Sequence, residues 1–158
     1  MKKIIIGADK SGFSLKEALK AHLEAKGYVV NDCGTIDIDN FMPYYEVAPI
    51  VAKAVSEGSY ERGILCCGTG AGMNILANKF KGVYAVPVES VYTAKMSSVI
   101  NMANVLSLGG WVVAPQNAID MVDKWLDTKF AEGFDSQREA FLKNAYAMVQ
   151  ETEKNNFK

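Results

Sequence analysis

Short apolar runs alternate along the chain with longer segments that carry apolar residues at helical spacing. The apolar runs predict five strands, at residues 3–6, 28–31, 62–67, 83–88 and 105–108, with residues 111–114 read as an extension of the last. The segments between them predict helices at residues 14–26, 46–57, 72–78, 91–100, 116–127 and 135–154. Residues 33–45 are rich in Gly, Asp, Asn and Pro and predict a loop.

The strand runs are apolar throughout rather than at alternate positions, which indicates strands that are buried on both faces. Their alternation with helices predicts an α/β fold, a three-layer sandwich around a doubly wound, mainly parallel five-stranded sheet, formed by residues 1–158 as one domain. Residues 131–158 are expected to form a C-terminal helical extension with an apolar stripe of Phe141, Ala145 and Met148. The stripe either packs on its own domain or docks on a second subunit.

In folds of this class, ligands bind beyond the carboxyl ends of the strands. The loops at residues 7–12, 67–72 and 88–90 meet this condition, and the middle one is unusual because glycines alternate with Thr69 and Ala71. The main-chain amides of such a turn can converge on one anion, although a tight turn without a ligand accounts for the glycines about equally well. The turn lacks the Gly-Lys-Ser/Thr sequence of a nucleotide-binding P-loop.

Three cysteines, Cys33, Cys66 and Cys67, have no metal-site spacing. Successive strand residues point to opposite faces, so we expect one of the adjacent pair to pack in the core and the other to lie at the strand end. A thiol beside converging amides is favoured as the thiolate. Such a thiolate could move a proton between adjacent carbons of a hydroxy-carbonyl compound while the amides hold the enediolate oxygen. Covalent thiol chemistry and core packing of both cysteines are the alternatives.

Composition and charge exclude several other classes of protein. The net charge is −1, and no basic block is long enough to indicate binding to nucleic acid or to an anionic membrane. No apolar run approaches the roughly 20 residues that span a bilayer. The start, MKKIIIGAD, has too short an apolar run for a signal peptide, so the expected location is the cytoplasm.

Several sequence blocks together resemble one enzyme family. They are GADKSGFSLKEALKAHLEAKGYVVNDCGT, RGILCCGTGAGMNILANKFKGVYA, VYTAKM, NMANVLSLGG and DKWLDTKF. In this order and spacing they are similar to the ribose-5-phosphate isomerase type B family, which includes the galactose-6-phosphate isomerase subunits, from about residue 1 to residue 130. The resemblance implies a Rossmann-like fold, a reaction without metal or cofactor, and dimers whose sites are shared between subunits.

The resemblance also implies roles for individual residues. Cys67 falls on the proton-shuttling cysteine and Thr69 on a threonine that assists with substrate hydroxyls. Asp9 falls on an aspartate that binds sugar hydroxyls, and Asn101 on an asparagine near the reacting oxygens. The anion hole falls on Gly68, Gly70, Ala71 and Gly72.

The chain departs from the family pattern where the family binds phosphate and opens the sugar ring. Lys10 replaces a histidine, and is either a phosphate-binding charge or a solvated surface lysine. The ring-opening histidine falls on Ile100, and an aspartate two residues later falls on Met102. The phosphate-binding arginines of the tail fall on Phe134 and Gln137, and Arg138 lies next to them as the remaining candidate.

The residues and the resemblance together predict an aldose–ketose isomerase that acts on a sugar phosphate through a cis-enediolate. The altered ring-opening residues favour a substrate that is open-chain or opens readily, such as a tetrose phosphate. The expected assembly is a homodimer or a dimer of dimers, with itself or with a homologous subunit. The alternatives are a galactose-6-phosphate isomerase-type subunit and a non-catalytic sugar-phosphate-binding subunit that kept the fold.

Overall fold

Five parallel strands form one sheet in the computed structural model of the chain, which describes residues 2–157. The strands are β1 (Lys3–Ala8), β2 (Val29–Gly34), β3 (Gly63–Cys67), β4 (Ala85–Pro87) and β5 (Val105–Gly109), in the order β2-β1-β3-β5-β4. The helices are α1 (Phe13–Ala25), α2 (Tyr44–Ser56), α3 (Ala71–Ala77), α4 (Val91–Asn101), α5 (Pro115–Asp127) and α6 (Ser136–Asn156). The predicted α/β fold with a doubly wound sheet is confirmed, and the sheet is parallel throughout.

Each inner strand supplies side chains to two separate cores. In β3, Ile64 and Cys66 face the core that α1, α4 and α5 cover, while Leu65 and Cys67 face the core under α2 and α3. Because both faces of the sheet are buried, the inner strands are almost entirely apolar, and the buried Ser107 of β5 is hydrogen-bonded. This explains the continuous apolar runs in the sequence.

The chain reverses its winding direction between β1 and β3. From β1 it passes to β2 on one side of the sheet, and from β2 it crosses to β3 on the other side. The loops that follow β1 and β3 therefore lead to helices on opposite faces and leave a crevice between them, which is where ligands of such folds bind. Asp9 N–H donates to the Cys66 carbonyl across this crevice at 3.2 Å.

Two local expectations were wrong. Residues 111–114 do not extend β5, because the Gly109 carbonyl accepts the N–H groups of both Val112 and Val113 and closes a turn. Residues 33–45 are not one loop: β2 continues to Gly34, a 3-10 turn occupies Ile38–Asn40, and α2 already begins at Tyr44. Both corrections concern segments that lead to the crevice.

The apolar stripe of the C-terminal helix does not pack on its own domain. Phe141 and Met148 are each more than half exposed, and the buried apolar residue of α6 is Leu142. Nearer the end of the helix, Glu153 accepts the N–H of Gly82 and the hydroxyl of Tyr84. The helix is thus attached to the body at a few points and leaves its stripe open. None of the helices within residues 2–157 combines the length and the apolar character that crossing a bilayer requires.

A fully buried lysine ties α1 to the end of β2. Lys16 Nζ lies 2.7 Å and 2.9 Å from the two carboxylate oxygens of Asp32, and it donates to the Thr35 carbonyl at 2.8 Å. Lys20 contacts the same carboxylate at 2.8 Å from a partly exposed position. The Asp32 carboxylate can therefore be buried at the end of β2, because Lys16 pairs with its charge and donates hydrogen bonds to it.

Substitution of Lys16 by Met should lower the free energy of unfolding by about 3 kcal/mol, because it leaves a buried carboxylate without its main partner. Lys20→Met is the matched control, since it removes a partly exposed partner of the same carboxylate and should cost less than about 1 kcal/mol. Urea unfolding of both variants measures the difference. Equal losses would contradict the structural role of Lys16.

Candidate active site

Cys67 is the last residue of β3, and its sulfur meets the main chain of the glycine turn. The Gly70 N–H donates to Cys67 Sγ at 3.1 Å. Gly70 has φ +82°, in the left-handed region that favours glycine, and this conformation turns its N–H back towards the strand. Ser107 Oγ, buried in β5, donates to the Gly70 carbonyl at 2.6 Å. Both polar main-chain groups of Gly70 are therefore fixed, and the sulfur is the acceptor for one of them.

Cys66 and Cys67 face opposite sides of the sheet, as expected for adjacent strand residues, and both are buried, with Cys67 at the strand end. Cys66 is fully buried in the opposite core, where desolvation raises the pKa of its thiol well above the usual range. Burial also raises the pKa of Cys33 to about 11, and its thiol donates to the Ile6 carbonyl at 3.3 Å. Both remain protonated at neutral pH. Cys67 is 6% exposed and belongs to the core under α2 and α3, where its sulfur meets the glycine turn.

The rest of the turn carries further main-chain donors. Thr69 is exposed, and its Oγ1 accepts the Ala71 N–H at a long 3.4 Å. The first main-chain bond of α3 runs from Asn74 N–H to the Gly70 carbonyl, so the amides of Gly72 and Met73 have no acceptor within the helix. One amide, that of Gly70, reaches the sulfur, and the convergence of further amides on one anion stays a prediction.

The loop after β1 packs directly on the end of β3. A Cβ at Gly12 would lie 2.1 Å from the Cys66 carbonyl oxygen, so only glycine fits there. Asp9 Oδ1 accepts the Gly12 N–H at 2.9 Å and shapes the loop. Desolvation raises the pKa of Asp9 above its ordinary value of 3.8, against the opposing effect of the Gly12 and Ser11 amides. The carboxyl group of Asp9 and the sulfur of Cys67 thus border one crevice.

Three aromatic side chains surround the crevice, and the sequence pattern singled out none of them. The Lys10 ammonium lies 4.9 Å from the centre of the Phe41 ring. The Tyr44 ring lies against Gly72, where a Cβ would come within 2.9 Å of it, and the Trp111 ring lies against Gly68 in the same way. What marks these three side chains as candidates is that they are exposed although they are aromatic, and exposure is known only from the folded structure. Ser107 carried a weak sequence signal, as a hydroxyl residue inside an apolar strand run.

Asn101 and Arg138 lie apart from Cys67 within one chain. Asn101 ends α4, and the chain then leads back to the start of β3, where Gly63 N–H donates to the Asn104 carbonyl. Cys67 is at the other end of this strand, about 13 Å away at 3.3 Å per residue. Arg138 lies on α6, with its guanidinium 4.9 Å from the centre of the Phe141 ring. The roles of both residues stay predictions.

The arrangement suits proton transfer on a small hydroxylated anion. A sulfur that accepts a main-chain N–H, a carboxyl group and one lysine share the crevice between the first and third strands. Among residues 2–157, no three His, Cys, Asp or Glu side chains are grouped closely enough to hold a metal ion.

Asp9→Asn should keep the fold and reduce activity. Asn retains the oxygen that accepts the Gly12 N–H but removes a desolvated charge. Because the raised pKa makes the folded chain hold this proton more tightly than the unfolded chain, ionisation of Asp9 lowers stability as the pH rises from about 4 through the raised pKa. We therefore expect the variant to match or exceed the wild type in stability at pH 7, with the advantage lost below about pH 4. Thermal unfolding against pH measures this, and a variant less stable at pH 7 would contradict it.

The chain is similar to known proteins in both sequence and structure. The sequence model of the Ribose/Galactose Isomerase family matches residues 4–141. The chain is 49% identical over 147 residues to the 4-deoxy-4-sulfo-D-erythrose isomerase of a Clostridium species, covering 93% of this chain and 92% of the relative. It is 42% identical over 130 residues to the D-erythrulose-4-phosphate isomerase 2 of Mycolicibacterium smegmatis, covering 81% and 86%. Its structure resembles that of Clostridium thermocellum ribose-5-phosphate isomerase B, with a TM-score of 0.86, 39% identity and coverage of 97% and 98%.

The chain therefore belongs to the ribose/galactose isomerase family of sugar-phosphate isomerases. The resemblance noted in the sequence is confirmed, as is the prediction that the protein is an isomerase.

Proposed function

We propose that this isomerase interconverts an aldose and a ketose with a terminal anionic group, and that Cys67 is the base. The observation that carries the proposal is the 3.1 Å hydrogen bond from Gly70 N–H to Cys67 Sγ, in the crevice between β1 and β3. This N–H donates to the sulfur that the proposal makes the base. A thiolate at this position has donors beside it for the oxygen that gains charge.

The proposed reaction moves one proton between carbons and one between oxygens. The Cys67 thiolate removes the proton from C2 of the open-chain aldose, and the electron pair moves through the new C1–C2 double bond to the carbonyl oxygen. The turn amides stabilise the resulting cis-enediolate. The thiol then returns the proton to C1, the O2 proton is transferred to O1, and the C2 ketose with a C1 hydroxyl forms. Asp9 and Thr69 border the crevice and would bind the substrate hydroxyls.

We propose a four-carbon sugar with a terminal sulfonate, 4-deoxy-4-sulfo-D-erythrose, as the substrate, with erythrose 4-phosphate as the second candidate. Both relatives cited above are named for four-carbon sugars. A tetrose whose C4 oxygen is esterified or replaced cannot close a furanose ring. The family's ring-opening histidine, whose place Ile100 takes in this chain, would then not be needed.

The charge near the crevice favours the sulfonate. The loops that follow the strands contain a single cationic residue, Lys10. These loops are residues 9–12, 35–43, 68–70, 88–90 and 110–114. The chain's two arginines lie elsewhere: Arg62 donates to Ser98 and Ala103 near the start of β3, and Arg138 stacks on α6. One lysine balances the single charge of a sulfonate better than the larger charge of a phosphate monoester.

We infer that Asn101 completes the site from a second copy of the chain, in a homodimer or a dimer of dimers. Within one chain it lies away from Cys67. The open apolar stripe on α6, including Phe141 and Met148, supports such an association.

Cys67→Ala should abolish the proton transfer. Incubation with 4-deoxy-4-sulfo-D-erythrose, erythrose 4-phosphate and five- and six-carbon sugar phosphates in deuterated water, followed by NMR, measures deuterium uptake beside the carbonyl. We expect the rate to fall about 100-fold or more, as loss of a catalytic base does. Cys66→Ala is the matched control, because its thiol faces the opposite core, and it should stay within a few-fold of wild type if folded.

Full uptake by Cys67→Ala would refute the base assignment. No uptake by the wild type across the whole panel would instead favour the non-catalytic binding subunit.

Mixing Cys67→Ala with Asn101→Ala should restore activity if sites are shared between subunits. In a mixed dimer, one site receives both native residues and the other receives neither. Random exchange of subunits would then recover roughly a quarter of wild-type activity from two weakly active proteins. Activity is measured after joint mild denaturation and refolding, with each variant treated alone as control. Recovery no greater than the sum of the two controls would place Asn101 outside the shared site.

A further inference from the structure

The loop after β5, residues 110–114, is fixed against the glycine turn. Gly110 N–H donates to the Cys67 carbonyl at 2.7 Å, and Trp111 N–H donates to the Gly68 carbonyl at 3.0 Å. Val113 is buried and anchors the far side of the loop. The main chain of Trp111 is therefore held beside the residue that follows Cys67.

The Trp111 ring rests on Gly68 and is otherwise open. A Cβ at Gly68 would lie 2.7 Å from Cε3 and Cζ3 of the indole, so the ring touches the glycine. The residue is 75% exposed. Trp125 shows the contrast, since it is fully buried and its Nε1–H donates to the Ala103 carbonyl at 3.1 Å. Within residues 2–157, no acceptor lies within hydrogen-bond distance of Trp111 Nε1, so this donor and most of the ring area are free for another molecule.

Trp111 also lies where the two loops of the crevice meet. A Cβ at Gly110 would come within 2.5 Å of the Ser11 carbonyl oxygen, so the Trp111 loop contacts the loop of Asp9 and Lys10. The indole thus lies on the glycine turn, and the loop that carries it contacts the loop in which Lys10 lies. An exposed indole in this place adds an apolar surface and one neutral donor.

We propose that Trp111 determines which anionic end of the substrate the enzyme accepts, and this rests on the function proposed above. The indole ring packs against the terminal methylene, and Nε1–H donates to one sulfonate oxygen while Lys10 supplies the balancing charge. A sulfonate has one negative charge and is attached to carbon directly. A phosphate monoester carries about −1.5 to −2 at pH 7 and is better matched by arginine.

Two substitutions test the proposal, with kcat and KM measured for 4-deoxy-4-sulfo-D-erythrose and for erythrose 4-phosphate. Trp111→Phe keeps a ring on Gly68 and removes the donor, so KM for the sulfonate should rise about tenfold with kcat nearly unchanged. Trp111→Arg adds the donor geometry that suits phosphate, so the ratio of kcat/KM for phosphate over sulfonate should rise at least tenfold. Wild type should prefer the sulfonate.

Equal losses on both substrates in both variants would overturn the proposal, because a purely structural residue does not change their ratio. A change in oligomeric mass for Trp111→Phe, measured by light scattering, would also overturn it and assign the ring to a contact with a second copy. A wild-type preference for the phosphate would leave the proposed isomerase reaction intact but would refute the proposed role of Trp111.

If wild type isomerised neither compound, the proposed function would fail and binding would decide the role of Trp111. Titration calorimetry with 4-deoxy-4-sulfo-D-erythrose, and the emission of the exposed Trp111, would then report on the contact directly. Tighter binding to wild type than to Trp111→Phe supports the contact, and equal or absent binding refutes it.

Discussion

The site depends on one hydrogen bond, from the Gly70 N–H to the sulfur of Cys67. A strand residue normally has its side chain in the sheet core, and Cys67 is no exception in its burial. What distinguishes it is that the chain turns back over the strand end and points an amide at the sulfur. That turn needs a residue in the left-handed conformation, which glycine adopts without strain. The bond therefore depends on the glycine as much as on the cysteine.

Three neighbouring contacts hold this turn in place, two from β5 and the residue after it and one from the loop after β1. Ser107 in β5 binds the Gly70 carbonyl, and Gly110, just after β5, binds the Cys67 carbonyl. Gly12, after β1, lies so close to the peptide between Cys66 and Cys67 that no side chain would fit. These contacts exist because β1, β3 and β5 are adjacent in the sheet, although they are far apart in the sequence. The strand order thus positions the sulfur and its donor.

The part of this arrangement that the sequence predicts is the part that local chemistry determines. Continuous apolar runs predict strands buried on both faces, alternation places Cys66 and Cys67 in separate cores, and a glycine-rich segment at a strand end predicts a turn of converging amides. Contacts between distant segments were not predictable. Trp111 looked like the end of a strand because Trp-Val-Val has high strand propensity, and only the bonds to the Gly109 carbonyl make it a turn. The end of β2 looked like a loop because Asp32 and Gly34 are unusual in buried strands, and the partner that permits it, Lys16, is 16 residues away.

In the proposed site, main-chain groups serve the proton transfer and side chains bind the anionic group. This separation explains how related enzymes can differ in the substrate they accept. The donors beside Cys67 are peptide groups, which remain when neighbouring side chains are replaced, so the proton-transfer end of the crevice is insensitive to most substitutions around it. In the proposed site, the anionic end of the substrate is bound by exposed side chains on surface loops, Lys10 and Trp111, and neither side chain supplies the main-chain contacts of the turn. A change in the terminal group of the substrate therefore needs few substitutions, and these fall where the fold tolerates them. Relatives named for phosphorylated and for sulfonated four-carbon sugars, each more than 40% identical to this chain, are what this separation predicts.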